Sequence, residues 1–201
     1  MAESHFIQNY LVINNKQYMS EITQYSGTSF SFGKAETIDF IEKACPDKNS
    51  KILDVGPGRG IYNLLLKQKG YQFFDAVEIY LPYIEAFELK KMYQNVFHSN
   101  ILGFEYEHYD IIIMGDVVEH LNVEDAQRVI KYAQQHSDLI VVAVPYLMPQ
   151  KGSQLDGSGD HRQPDLTKEV FLERFPGFDL LINNRQVGIF YCKRKLSDYL
   201  I

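Results

Sequence analysis

The sequence has only two cysteines, Cys45 and Cys192, among its 201 residues. They lie far apart and follow no metal-ligand spacing, so the sequence predicts neither a disulfide framework nor a cysteine-ligated metal. Buried cysteine side chains behave as small hydrophobic groups. We therefore interpret both as reduced thiols in a reducing compartment.

Long apolar segments are also missing. The longest, Leu139 to Met148, is about half of the 20 or so residues that a membrane-spanning helix requires, and Pro145 interrupts it. Residues 1–10 contain no basic region that leads into an apolar segment, as a signal peptide does. These absences predict a soluble protein in the cytoplasm, with no membrane partner.

Positive charge is scarce, since the formal net charge is -6. Nucleic acid is therefore not an expected partner, because binding to phosphates depends on many lysine and arginine contacts. The chain has the length of one domain, and 45% of its residues are hydrophobic. We divide it into an N-terminal cap region, residues 1–33, and a core, residues 34–201.

Short β-branched runs alternate with helical patterns along the core. Helices are predicted between the first five runs, which is typical of β-α-β units and a parallel sheet. Only three residues separate the last two runs, a connection that joins antiparallel strands. The predicted strands are Lys51–Val55, Phe73–Ile79, Val96–Ser99, Asp110–Met114, Leu139–Val144, Phe178–Asn183 and Val187–Lys193; the predicted helices include Lys34–Ala44, Ile61–Lys69, one from Pro82 to about Tyr93, and one capped by Asn122.

The strongest functional signal is a glycine-rich turn, Gly56, Gly58 and Gly60, between the first strand and a helix. Glycine lets the backbone approach a ligand, and the N-terminus of the helix favours a negative group such as a carboxylate. A dinucleotide-binding motif would have its third glycine at position 61, which is isoleucine. The observed spacing, preceded by Asp54, resembles motif I of class I S-adenosylmethionine-dependent methyltransferases.

This resemblance spans roughly residues 52–144. It implies an α/β fold with a Rossmann-like seven-stranded sheet, order 3-2-1-4-5-7-6, strand 7 antiparallel and helices on both faces. It also implies that the cofactor is S-adenosylmethionine and that its methionine moiety and ribose lie at the glycine turn. The cofactor-binding residues assigned in this way are Asp54, Gly56, Gly58, Gly60, Glu78, Ile79, Asn100, Ile101, Asp116 and Val117.

Two of these assignments have specific chemical reasons. Glu78 lies at the end of the second strand, about 20 residues after the glycine turn, where an acid hydrogen-bonds the ribose hydroxyls. Asn100 stands where the family usually has an acidic residue that contacts the adenine amino group, and its side-chain oxygen can accept the same hydrogen bond. Ile101 is expected either to cover the adenine or to belong to the core.

The segment after the fourth strand contains Asp116, Glu119 and His120 and resembles small-molecule methyltransferases, in which an acid followed by Glu-His is frequent. His120 is our first choice for an acid/base or acceptor-positioning residue, and His161 in the polar loop 150–162 is the second. Two alternatives remain open. Asp116, Glu119 and His120 would hold a divalent cation, although we predict no bound metal, or Glu119 and His120 would only cap the next helix.

The predicted function is methyl transfer to a small-molecule acceptor, with the hydroxyl of a sugar or a phenol as first choice. The alternatives are an RNA or protein methyltransferase and a module that binds S-adenosylmethionine without catalysis. The glycine turn and Glu78 are intact, which argues against loss of the cofactor site. They do not identify the acceptor, and the sequence leaves the oligomeric state open.

Overall fold

The computed structural model describes residues 32–152 and 157–194. Its seven strands form one sheet in the order β3-β2-β1-β4-β5-β7-β6. Neighbours among the first five strands are parallel, and β7 is antiparallel to both β5 and β6. The predicted fold class is therefore confirmed. The strands are β1 (Lys51–Val55), β2 (Phe73–Glu78), β3 (Asn95–His98), β4 (Tyr109–Gly115), β5 (Ser137–Pro145), β6 (Asp179–Asn183) and β7 (Val187–Lys193).

Helices connect the parallel strands. Short 3-10 helices also follow β3 and β4, at Ile101–Gly103 and Val118–His120. The predicted cap region, residues 1–33, lies outside the described residues except for Phe32 and Gly33. The α-helices are α1 (Lys34–Ala44), α2 (Ile61–Gln68), α3 (Leu81–Ala86), α4 (Leu89–Met92), α5 (Val123–Gln135) and α6 (Lys168–Arg174).

One helix prediction is wrong. The segment from Pro82 to Tyr93 forms two helices, α3 and α4, instead of one. Glu88 lies between them with a left-handed φ of 51°. A left-handed residue cannot continue a right-handed helix, so the backbone hydrogen-bond ladder stops there and restarts at Leu89.

The sheet is buried on both faces, which explains why its central strands are almost continuously apolar. In β4, Ile111 and Ile113 pack on one face, and Ile112 and Met114 pack on the other. Helices α1 to α4 cover the first face, and α5 and α6 cover the second. Because helices cover both faces, a ligand-binding site is expected at the ends of the strands and not on a face of the sheet.

The strand order reverses between β1 and β4, which are direct neighbours. In open α/β sheets, ligands bind at such a reversal, outside the carboxyl ends of the strands. The segments that follow β1, β2 and β4 meet at this edge. No helix among residues 32–152 and 157–194 is long and apolar enough to cross a membrane.

Candidate active site

The glycine turn after β1 has a left-handed backbone, with φ values of 60° at Gly56, 50° at Gly58 and 68° at Gly60. A Cβ at Gly56 would lie 2.8 Å from Cγ2 of Val117, and one at Gly60 would lie 2.5 Å from Cε of Met92. At Gly58 a Cβ would meet no atom of residues 32–152 or 157–194 within 4 Å. Packing therefore explains two of the glycines, whereas the third borders space that none of the described residues fills, where a ligand can approach the backbone.

Glu78 ends β2 directly beside this turn and is only 4% exposed. Its Oε1 accepts a hydrogen bond of 2.9 Å from the backbone N–H of Tyr80. Burial raises the pKa of the Glu78 carboxyl, and backbone N–H groups of Tyr80, Gly58 and Ile79 counteract that increase. The glycine turn and the acid at the end of β2 thus lie next to each other.

The residues after β2 and β3 are less enclosed. Ile79 is 41% exposed, and its carbonyl accepts a hydrogen bond of 3.0 Å from Nε2 of His98. Asn100 is exposed, and its Oδ1 accepts a bond of 2.9 Å from the N–H of Leu102, which caps the following 3-10 helix. Ile101 is half-buried against the core. The proposed adenine contact of Asn100 therefore has only the remaining lone pair of that oxygen available.

Asp54 lies inside the protein at the end of β1. Its Oδ2 accepts a hydrogen bond of 2.6 Å from the hydroxyl of Tyr93. Burial raises the pKa of Asp54 to about 7, although Tyr93 and the positive charge of Lys34 oppose the increase. Burial also lowers the pKa of Lys34, whose ammonium lies 4.2 Å from the centre of the Tyr62 ring. Tyr93 and Lys34 were not among the predicted site residues.

The chain leaves β4 through a strained residue. Asp116 has a φ of 58°, which is uncommon for a non-glycine residue, and its N–H donates a 2.9 Å hydrogen bond to the carbonyl of Ala143. This conformation directs Val117 onto Gly56. The segment that carries Glu119 and His120 therefore begins in contact with the glycine turn.

Glu119, His120 and His161 come together at the same edge, although 40 residues separate the two histidines. The centres of the two imidazole rings are 4.8 Å apart, with the ring planes inclined by 76°. Burial lowers the pKa of His120, and the proximity of His161 lowers it further. Burial and the charge of Asp116 raise the pKa of Glu119 well above its ordinary value. The structure thus places both predicted catalytic histidines together.

Backbone hydrogen bonds hold the loop of His161 against this segment. The carbonyl of Glu119 accepts bonds from the N–H groups of Arg162 at 2.7 Å and Gln163 at 3.1 Å. The buried side chain of Gln163 donates to the carbonyls of Val118 and Leu121. Gln163 was not predicted, because an isolated glutamine in a polar loop has no sequence signature.

This sheet order, with a glycine turn after β1 and a buried acid at the end of β2, is that of class I S-adenosylmethionine-dependent methyltransferases. The model of the family described as "Methyltransferase domain" matches residues 30–174. The chain belongs to this methyltransferase family, and S-adenosylmethionine is its cofactor. No curated protein matches the chain significantly.

Solved structures show the same fold at low sequence identity. The N-terminal domain of EvdMO1, in the presence of SAH and D-fucose, has 10% identity and a TM-score of 0.62, with 90% of this chain and 97% of that chain covered. TehB from Haemophilus influenzae has 16% identity and a TM-score of 0.61, with 87% and 66% covered. Magnesium protoporphyrin IX methyltransferase (ChlM) from Synechocystis PCC 6803, with bound SAH, has 16% identity and a TM-score of 0.56, with 96% and 100% covered.

Proposed function

We propose that this methyltransferase transfers a methyl group to a hydroxyl of a small molecule, such as a sugar or a phenol. The observation that carries the proposal is the pair of imidazoles, His120 and His161, whose ring centres are 4.8 Å apart. His120 belongs to the segment that contacts the glycine turn through Val117, and His161 belongs to the loop after β5. In each ring Nδ1 donates a hydrogen bond to a backbone carbonyl. The neutral imidazole therefore carries its hydrogen on Nδ1 and its lone pair on Nε2. A hydroxyl holds its proton tightly near neutral pH and is therefore the kind of acceptor that benefits from such a base.

The glycine turn and Glu78 are proposed to hold the cofactor. The open space beside Gly58 fits a ligand against the backbone, and the Glu78 carboxylate matches O–H donors such as ribose hydroxyls. When bound, S-adenosylmethionine supplies an electrophilic methyl group on a positively charged sulfur. The chain has to align the acceptor and take up its proton, the role proposed for His120 Nε2. Further proposed cofactor contacts are Asp54, Gly56, Gly60, Ile79, Asn100, Ile101, Asp116 and Val117.

Several observations support a small acceptor over RNA. The formal net charge of -6 disfavours phosphate backbones. One structural neighbour is named for its action on a porphyrin, and another was studied with D-fucose.

We also propose that the enzyme is cytoplasmic. Cys45 and Cys192 are both free thiols, as is usual for proteins of a reducing compartment.

The acceptor class is tested by incubating the protein with radiolabelled S-adenosylmethionine and panels of sugars, phenols, RNA and proteins. We expect label in the small-molecule fraction, as an O-methyl product identified by mass spectrometry. Deoxy analogues that lack the methylated hydroxyl should accept no label. Label found only in RNA or protein would contradict the proposal.

The role of Glu78 is tested by Glu78→Ala. Loss of hydrogen bonds to a charged group should weaken S-adenosylmethionine binding by about 1.5–3 kcal/mol, measured by calorimetry. Glu173→Ala, which removes an exposed acid from α6, is the control and should bind normally. Equal affinities of wild type and Glu78→Ala would place the cofactor hydroxyls elsewhere.

A further inference from the structure

Glu119, His120 and His161 present one ligand atom each to a common point. Their nearest carboxylate oxygen and ring nitrogens all lie within 4.8 Å of one another. Oε1 of Glu119 is 4.0 Å from Nε2 of His120. Glu119 and His120 come from the 3-10 helix after β4, whereas His161 comes from the loop after β5. The cluster is therefore a tertiary arrangement and not a consequence of local sequence.

Both imidazoles are oriented by their second nitrogen. Nδ1 of His120 donates to the carbonyl of Asp160 at 3.2 Å, and Nδ1 of His161 donates to the carbonyl of Met148 at 2.7 Å. A carbonyl can only accept, so a neutral ring bonded in this way has its lone pair on Nε2. Metal-binding histidines are usually fixed by such a bond from the nitrogen that does not bind the metal.

Glu119 gives the independent indication of a ligand. Its side chain is 1% exposed, yet neither carboxylate oxygen accepts a hydrogen bond from residues 32–152 or 157–194. A buried carboxylate without a donor is costly, and proteins normally pair it or use it to bind a cation. Nε2 of His120, which lies 4.0 Å from Oε1 of Glu119, carries no hydrogen in this arrangement, so it cannot serve as a donor to the carboxylate.

We propose that Glu119, His120 and His161 bind a divalent first-row transition-metal ion. Two imidazoles and one carboxylate suit ions such as Mn²⁺, Fe²⁺, Co²⁺ or Zn²⁺ better than Mg²⁺ or Ca²⁺, which prefer oxygen ligands. Three protein ligands leave coordination positions open to other oxygen atoms. The ligand atoms would approach one another by about 1 Å to reach bonds of about 2.1 Å.

This proposal deepens the proposed function and rests on it for the role of the ion. A divalent ion held by these three residues would supply Lewis-acid chemistry and would lower the pKa of an acceptor hydroxyl. In the metal-loaded protein His120 Nε2 would bind the ion, so this proposal replaces the role of His120 as the base, and the hydroxyl proton would be released to solvent. The sequence alone suggested Asp116, Glu119 and His120 as the ligands. In the structure the third member of the cluster is His161 instead of Asp116.

The test uses the full chain after removal of metal with EDTA, titrated with Co²⁺ without methyl donor or acceptor. We expect one Co²⁺ per chain, and an affinity at least about 10-fold lower in Glu119→Gln, His120→Gln and His161→Gln. His108→Gln is the matched control, because His108 belongs to a more exposed His/Asp cluster with Asp110 and Asp138. Absence of saturable binding, or loss of binding in His108→Gln but not in His161→Gln, would overturn the proposal.

A measurement on the wild type removes dependence on the folding of the variants. Pulsed electron paramagnetic resonance of bound Mn²⁺ should show coupling to histidine nitrogen, and coordination by oxygen alone would overturn the proposed ligand set. Because neither measurement needs turnover, failure to bind metal leaves the proposed acceptor class standing. A protein that binds Co²⁺ at this cluster and methylates no hydroxyl contradicts the proposed function alone.

Discussion

Replacing Gly58 with valine is expected to abolish S-adenosylmethionine binding, with a loss of affinity of at least about 100-fold, or about 2.8 kcal/mol. The backbone at Gly58 is left-handed, a conformation that β-branched residues rarely adopt. The valine side chain would enter the open space beside the turn, which we assign to the cofactor. Calorimetry measures the affinity directly. A thermal shift gives a second readout, since ligand at about 100 times the dissociation constant stabilises the wild type by about 2.7 kcal/mol.

Gly70→Val is the matched control. Gly70 also has a positive φ, 95°, and is exposed between α2 and β2, at the opposite end of the parallel strands. The two variants therefore introduce comparable backbone strain, but only Gly58→Val places atoms at the proposed cofactor site. Equal loss of binding in both would assign the effect to strain, and normal binding by Gly58→Val would contradict our placement of the cofactor.

The fold was predictable because its determinants are local and periodic. Apolar runs followed by amphipathic segments indicate parallel β-α-β units, and a three-residue connection before Val187 requires an antiparallel pair. The break at Glu88 was not predictable, because glutamate favours helices and nothing in the sequence marks its left-handed φ.

The residues of the candidate site also differ in how well the sequence predicts them. Glycine spacing and an acid after an apolar strand identify the turn and Glu78, because both lie at strand ends. His120 and His161 come into contact only because the 40 residues between them fold back on this segment, and no periodic pattern in the sequence predicts that. Lys34 begins an amphipathic helix and suggests a solvated residue, yet the fold buries it close enough to Asp54 for their charges to interact. Sequence patterns thus identify strand-end residues better than the long-range partners that surround them.

The stability of the protein is expected to fall as the pH rises from 4 to 8, and Asp54 should be a principal cause. Burial raises the pKa of Asp54 from 3.8 to about 7, so the folded state binds a proton that the unfolded state releases. The contribution of Asp54 to the free energy of unfolding is fully present below pH 3.8 and is lost as the pH rises through 7. The difference between the two pKa values corresponds to about 4 kcal/mol. Urea unfolding of the ligand-free protein at several pH values measures the free energy of unfolding.

Asp54→Asn should remove this part of the pH dependence, because asparagine keeps an acceptor for the Tyr93 hydroxyl and carries no charge. Relative to wild type, the variant should gain stability progressively between pH 4 and pH 8.

Lys34→Met provides the opposite change. Without the lysine charge the pKa of Asp54 rises further, and the loss of stability extends to higher pH. Subtracting the wild-type curve cancels the contributions of Glu78 and Glu119, whose pKa values burial also raises. If wild type and Asp54→Asn show the same pH slope, the buried carboxyl at the end of β1 is not the group that titrates.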